Sequence, residues 1–369
     1  MIRRAFLGLL LFICLLSLFL IYLAQGNSGY PPPLNRVAAW MPTSWDSTRA
    51  RASWEANRAH IQELSPVWYQ LDASGDGSIN TYTGARDVAL VNEAHAQSPP
   101  VLVIPLINNS YASTGFDTAP VSTMIHDPSR RATHVAALVD ETLTYGYDGI
   151  DIDYESLNGH DDRDAFSLFI EELAAALHAH DKLLSIAVHP KTNEPGDWDG
   201  SRAQDWARIG AAVDRFRVMT YGYHWNTSEP GPIAPLWWMG DVMVYATSVV
   251  SPNRVYAGIH FYGHNWTDTS TGSLTWEGAQ ALINTHGVAS RWKTASTWRH
   301  AVAEPWFTYT DDLGQSHEVW YANGSSVAAR LELVQRYGLG GVAVWRLGGE
   351  DPANWSAIAT TLHVTSSQK

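Results

Sequence analysis

The sequence contains little cysteine and little positive charge. Its single cysteine, Cys14, lies in an N-terminal apolar run, so we expect a mature domain without disulfide bonds, held together by packing alone. Its 24 lysine and arginine residues are outnumbered by 37 aspartate and glutamate residues, which gives a net charge of −13. No basic stripe is present for nucleic acid, so we exclude a nucleic-acid partner.

Recognisable metal-ligand patterns are also lacking. Residues 72–79 resemble the start of a calcium loop, but the twelfth position is Thr83 where that loop needs a bidentate glutamate. His260 and His264 are four residues apart with no acidic third ligand in register. We therefore predict a polar turn at residues 72–79, no metal and no cofactor.

Aromatic residues are abundant by contrast. The chain has 17 tryptophan and 16 tyrosine residues, with 45% hydrophobic and 17% charged residues overall. This balance is typical of a globular protein with a substantial core. Flat aromatic faces with polar edges also suit a carbohydrate cleft, although many of these residues will pack in the core.

The N-terminal apolar run, residues 5–24, follows Arg3 and Arg4. Twenty helical residues span about 30 Å, the thickness of a bilayer core, and exceed the usual apolar region of a signal peptide, about 7–15 residues. We favour an uncleaved signal anchor at residues 1–24 over a cleaved signal peptide. Both place the rest of the chain outside the cytoplasm, because the positive flank stays inside. Residues 25–35, which include three consecutive prolines, predict an extended spacer.

Residues 36–363 alternate short apolar runs with helical stretches, which is the pattern of successive βα units. We predict an α/β fold, a (β/α)8 TIM barrel, for this part. The stretch at about 263–323 is too long for one crossover and predicts a small α+β insertion between strands 7 and 8. Residues 364–369 form a tail. The candidate strands are residues 37–41, 67–71, 101–106, 149–153, 184–188, 217–221, 255–261 and 341–345.

The most informative stretch is residues 147–155, YDGIDIDYE. If it is a strand, Asp151, Asp153 and Glu155 point to one face, while Ile150 and Ile152 point to the other. Carboxylates this close cannot all ionise cheaply, so the row indicates a member that stays protonated. Glu155 is nearest the carboxyl end of the strand, where barrel enzymes place their chemistry, and is therefore the candidate general acid.

The spacing Asp148-x-x-Asp151-x-Asp153-x-Glu155 resembles the DxxDxDxE signature of glycoside hydrolase family 18, the chitinase-like family. The resemblance covers most of residues 36–357. Within the family, the sequence is most similar to bacterial members related to spore-wall and cell-wall hydrolases. Met219-Thr220-Tyr221 resembles the sixth-strand MxYD motif of the family, but its last position is Gly222 instead of aspartate. Val344-Trp345-Arg346 resembles the eighth-strand segment that supplies a tryptophan beneath the sugar.

The resemblance implies a retaining, substrate-assisted mechanism. In it, Glu155 protonates the leaving oxygen while the N-acetyl oxygen of the substrate attacks the anomeric carbon. Asp153 holds the acetamide N–H, Asp151 shares a proton with Asp153, and Tyr221 donates to the acetamide oxygen. These four residues are the predicted catalytic set.

The predicted substrate-binding set consists of Trp345, Asp148, Met219 and Trp225. Trp345 would form the floor of the sugar site. Asp148 has the opposite parity to the acidic row and better suits an anchor at the start of the strand. For Trp225, packing and sugar contact stay equally open.

We therefore predict an extracytoplasmic, membrane-tethered, monomeric glycosidase that cleaves β-linked glycans containing N-acetylglucosamine. Chitin and peptidoglycan-type wall polymers both stay open as substrates. The alternatives from other classes are a chitinase-like lectin that binds without cutting and a protein-binding barrel. Glu155 argues against both, because the resemblance implies loss of this acid in non-hydrolytic members.

Overall fold

Eight parallel strands form the centre of the structure, a computed structural model that describes residues 34–292 and 298–362. The first strand pairs with both the second and the eighth, and these pairings close the sheet into a barrel. The predicted (β/α)8 barrel is confirmed. The strands are β1 (Arg36–Pro42), β2 (Glu63–Leu71), β3 (two pieces, Leu102–Val103 and Leu106–Asn108), β4 (Gly149–Asp153), β5 (Leu183–Val188), β6 (Arg215–Val218), β7 (Val255–His260) and β8 (Gly341–Trp345).

β2 begins at Glu63, four residues earlier than predicted, the ends of β1, β5 and β7 shift by one residue, and β3 and β6 differ for local reasons. β3 is interrupted around Pro105, which has no N–H to donate to a ladder. β6 begins and ends earlier than predicted, because the chain turns tightly after Val218 and the Tyr221 N–H donates to the carbonyl of Met219 at 2.7 Å. Tyr221 therefore lies beyond the end of β6 rather than within it.

Helices follow the strands and cover the outside of the barrel. Asp127 illustrates how they begin, since its carboxylate accepts from the backbone N–H groups of Ser129 and Arg130 at 2.8 and 3.1 Å. Residues 199–212 contain two short helices instead of one continuous helix. The helices are Ser47–Asn57, Val88–His95, Thr118–His126, Pro128–Thr144, Gly159–His178, Asp199–Arg202, Trp206–Ala212, Leu236–Val249, Trp276–His286, Gly324–Arg336 and Ala353–Leu362, with short 3-10 turns at Arg58–His60, Pro252–Arg254 and Trp298–His300.

An antiparallel sheet and a helix occupy the connection between β7 and β8. Phe307 and Val319 of the sheet pack with Ala279 of the helix Trp276–His286 in a small separate core. In spatial order the strands are Thr271–Leu274, Gly263–Trp266, Ser316–Tyr321, Pro305–Thr310 and Arg291–Trp292. Two further short elements flank the barrel, the strand Ile79–Thr81 on β2 and the hairpin Ser110–Tyr111 with Gly115–Phe116.

A buried ion pair fixes the loop after β6 against this connection. Glu304 accepts from the backbone N–H groups of Ile233 and Ala234 at 2.9 and 3.0 Å, and from Arg330 at 2.8 Å. Glu304 and Arg330 are both fully buried. Removing either partner would leave an uncompensated buried charge. The pair therefore holds the loop after β6 against the connection between β7 and β8.

The structure describes neither the predicted segment at residues 1–24, nor most of the spacer at 25–35, nor the tail at 364–369. The anchor therefore stays a prediction of the sequence. Among the residues that are described, no helix is long and apolar enough to cross a membrane.

Candidate active site

The acidic residues of β4 lie at the carboxyl end of the barrel. Ile150 and Ile152 pack towards the helices, whereas Asp151 and Asp153 point into the barrel, where both are buried. The strand ends at Asp153, as predicted, and Glu155 stands two residues beyond its end, with its side chain 22% exposed. The three carboxyl groups thus run from the barrel interior to the rim.

Asp151 is held by donors from two other strands. Its Oδ2 accepts from Trp40 Nε1 at 2.7 Å and from Arg217 Nη1 at 2.9 Å. Burial raises the pKa of Asp151, and the charge of the fully buried Arg217 opposes that effect. The two donors on Oδ2 favour the ionised carboxylate and limit this rise, and the sharing of a proton with Asp153 stays a prediction.

The buried charges beneath the acids balance one another. Glu63 pairs with Arg217 at 3.2 Å and with Arg215 at 2.5 Å, and Arg217 also pairs with Asp151. Two arginines thus neutralise two carboxylates, and this network supplies no spare cation for Asp153 above it. Burial, then the charges of Glu155 and Asp151, raise the pKa of Asp153 well above its usual range.

Glu155 has the protonation behaviour of a general acid. Burial raises the pKa of its carboxyl to about 7, so the acid form persists near neutral pH. A carboxylic acid is an effective proton donor when its pKa lies near the working pH. The position and the pKa of Glu155 both fit the role that the sequence predicted for it.

The backbone of Glu155 is clamped by Asn109, a residue that the sequence analysis missed. Asn109 Oδ1 accepts from the N–H of Glu155 at 2.9 Å, and its Nδ2 donates to the carbonyls of Glu155 and Asp117, both at 2.9 Å. Asn109 is fully buried, so all three bonds form away from water. The clamp fixes where the acid leaves the strand.

Three more predicted residues converge on the same place. Tyr221 is half-buried and packs edge-on against Tyr262, with ring centroids 6.2 Å apart. Burial, Tyr262 and then the charges of Asp153, Glu155 and Asp151 raise the pKa of Tyr221 well above its usual range. Trp345 packs edge-on against Trp40 at 5.9 Å, in one cluster with Met219 and Tyr221.

A cavity of 680 Å³ opens beside Trp345 on this face of the barrel. Its wall includes the exposed aromatic residues Trp45 and Phe116, together with Tyr262 and Arg346. Aromatic walls with a few polar groups are typical of pockets that bind sugars.

Two predicted residues do not join this cluster. Asp148 precedes β4, and its Oδ2 accepts from the N–H of Val103 at 2.7 Å and contacts His95 Nε2 at 2.8 Å. β4 separates Asp148 from the carboxyl end where Glu155 lies, so its position suits the anchor at the start of the strand better than contact with substrate. Trp225 is 51% exposed, and its described hydrogen bonds are to Thr227, Ser228 and Trp266.

Gly222, where the resembled motif has aspartate, borders open space. Its φ of +76° is a conformation that favours glycine, and a Cβ here would meet no heavy atom within 4 Å. The raised pKa of Glu155 is therefore produced without a carboxylate at this position.

The described part of the chain also contains no group of three or more histidine, cysteine, aspartate or glutamate side chains placed to hold a metal ion. The chemistry of the site is accordingly derived from its carboxyl, hydroxyl and aromatic groups.

Comparison with known proteins agrees with this geometry. A protein named as a sporulation-specific glycosylase, YdhD of Bacillus subtilis, is 31% identical over 258 residues, which are 69% of this chain and 60% of that protein. The cortical fragment-lytic enzyme of Bacillus anthracis is 24% identical over 81% of this chain and 68% of its own length.

The crystal structure of a chitinase from Chromobacterium violaceum superposes with a TM-score of 0.79 at 26% identity, covering 89% of this chain and 98% of that one. The protein-family model described as "Glycosyl hydrolases family 18" matches residues 43–350, which include all the acids of β4. The chain is therefore a glycosidase that belongs to glycosyl hydrolase family 18.

Proposed function

We propose that this enzyme hydrolyses β-linked glycans containing N-acetylglucosamine, with retention of anomeric configuration and with the acetamide of the substrate as nucleophile. The observation that carries this proposal is the placement of Asp153 and Glu155. They lie two residues apart on one segment at the carboxyl end of β4, and both have raised pKa values. One short segment cannot flank both faces of a sugar ring, so the nucleophile must come from elsewhere.

The proposed first step uses three groups of this chain. Glu155 gives its proton to the glycosidic oxygen as the bond to the anomeric carbon breaks. The acetamide oxygen of the substrate forms the new bond to that carbon and gives an oxazolinium ion. Asp153 accepts a hydrogen bond from the acetamide N–H, and the Tyr221 hydroxyl donates to the acetamide oxygen.

In the second step water attacks the anomeric carbon from the side that the leaving group vacated. The Glu155 carboxylate accepts the proton of this water and returns to its acid form. The acetamide is regenerated, and the two displacements give a product with the original β configuration.

Relatives named as a chitinase and as a cortical fragment-lytic enzyme support chitin and peptidoglycan as the two substrates to test. Incubation with chitin oligomers and with purified peptidoglycan, followed by mass spectrometry and NMR of fresh products, decides between them. We expect shorter glycans with a β-anomeric end from at least one polymer. Binding to both polymers without shorter products would instead indicate a lectin.

We further propose that the barrel acts outside the cytoplasm, where wall polymers are found. This rests on residues 5–24, whose apolar run follows two arginines. Protease added to intact cells should then degrade the barrel, whereas full protection until the cells are lysed would contradict this placement.

The pH dependence follows from the pKa of Glu155. Because the acid must be protonated to act, kcat/KM should fall as the pH rises through about 7, the pKa to which burial raises this carboxyl. Initial rates between pH 4 and pH 9 measure this limb. Activity that stays constant up to pH 9 would exclude Glu155 as the acid.

A further inference from the structure

His189 lies directly after β5 and faces the acid from the side opposite to Asn109. Its Nε2 is 3.7 Å from Glu155 Oε2, and its side chain is only 7% exposed. Among the residues that the structure describes, this nitrogen has no hydrogen-bond partner. A buried, unpartnered polar atom aimed at the acid calls for a functional explanation.

The ring is held in this orientation by its own loop. The backbone N–H of His189 donates to Gln204 Oε1 at 2.8 Å. Lys191 Nζ donates to the backbone carbonyl of Gln204 at 2.6 Å. Trp198 packs edge-on against the imidazole, with centroids 4.4 Å apart. The imidazole is therefore fixed before substrate binds.

His189 acts as a neutral group. Burial lowers its pKa to about 3, so its contact with Glu155 is not an ion pair at neutral pH. A neutral imidazole has one N–H donor and one acceptor nitrogen. A donor at Nε2 suits both states of Glu155, because Oε2 accepts in the carboxylate and also in the acid when the proton is on Oε1. An acceptor at Nε2 would repel the carboxylate and would draw the acid proton to Oε2.

The other titratable groups that face Glu155 leave this donor role open. Asp153 of β4 repels the Glu155 charge, and Tyr221 after β6 and Tyr262 after β7 have raised pKa values that keep both neutral. Lys191 directs its ammonium towards backbone carbonyls of its own loop.

We propose that His189 is the positioning residue for the general acid, donating from Nε2 to Oε2 of Glu155 and thereby leaving the proton on Oε1 for the leaving oxygen. The inference rests on the proposed function and deepens it. A small rotation of the Glu155 side chain closes the 3.7 Å separation to a hydrogen bond, and we expect this bond to form in the substrate-free protein. The same donor then stabilises the carboxylate that is left after proton transfer.

Two variants distinguish the effect of the hydrogen bond from the effect of the side-chain volume at position 189. His189→Leu keeps an apolar group beside Glu155 but removes the donor, whereas His189→Gln places an amide N–H close to the position of Nε2. We expect His189→Leu to lower kcat about tenfold with KM within twofold of the wild type, and His189→Gln to retain most of kcat.

The decisive measurement is a carboxyl-carbon NMR titration of Glu155 without substrate, in protein labelled at glutamate. Loss of the donor destabilises the carboxylate, so the pKa of Glu155 should rise in His189→Leu, and the high-pH limb of activity should move up with it. If His189 had a purely structural role, the pKa of Glu155 would not rise in His189→Leu and return towards the wild-type value in His189→Gln.

An unchanged Glu155 titration in His189→Leu, or equal impairment of both variants, would overturn the proposal. Failure of the proposed function would be recognised separately, by wild-type turnover in Glu155→Gln or by the absence of any cleavage. The titration decides the role of His189 in either case, because it needs no substrate.

Discussion

Glu155→Gln should lower kcat by about a thousandfold while leaving substrate affinity largely intact. The amide keeps the size of the side chain and hydrogen-bonding atoms at the same place, but it has no acidic proton to give. Removing a general acid typically costs a factor of about 10² to 10⁴. The Asn109 clamp binds only backbone atoms of Glu155, so it survives the substitution. Single-turnover rates on an N-acetylated oligomer and calorimetric titration of the same oligomer measure the two effects.

Glu55→Gln provides the matched control. Glu55 is an exposed residue of the helix Ser47–Asn57, where it pairs with Arg51 on the surface, so the same chemical change there should leave kcat unaltered. If both variants lose activity equally, the loss reflects general damage. If Glu155→Gln turns over at the wild-type rate, Glu155 is not the acid.

A substrate without its acetamide groups should not be cleaved at a detectable rate. The proposed nucleophile is the acetamide oxygen, and a group held within the same molecule reaches effective concentrations of about 10⁵ to 10⁸ M. Deacetylation removes it, and Asp153 and Tyr221 then have nothing to orient. Product analysis of fully acetylated and fully deacetylated oligomers of equal length measures the difference.

An N-acetylglucosamine thiazoline, a stable mimic of the oxazolinium ion, provides the control for this experiment. It should inhibit cleavage of the acetylated oligomer in competition with substrate. Efficient cleavage of the deacetylated oligomer, or an α-anomeric first product from the acetylated one, would refute the substrate-assisted mechanism even though the family assignment would stand.

The high pKa values of Asp153 and Glu155 have a common origin in burial, which no cation of the buried network beneath them offsets. Arg215 and Arg217 neutralise Glu63 and Asp151, and so leave Asp153 without a compensating cation from this network. Burial then favours the protonated forms of Asp153 and Glu155. Between them these two groups can hold the proton that the first step requires.

Features that depend on neighbours along the chain were predictable. The alternation of Ile150 and Ile152 with acidic residues defined β4, and the strand begins and ends as predicted, at Gly149 and Asp153. Apolar runs separated by helical stretches similarly predicted eight strands and a closed barrel. Local periodicity carries this information, because side-chain direction in a strand or helix follows from sequence position alone.

Only the tertiary structure decided which distant groups surround the acids. Arg217 lies 66 residues from Asp151, and Asn109 lies 46 residues from Glu155. His189 meets Glu155 only because β4 and β5 are neighbours in the barrel. The partners of Asp148, which are Val103 and His95, likewise came only from the structure, since the parity of a side chain in a strand does not give its partners. Pairing and register between strands determine those partners, and with them the protonation of the acids.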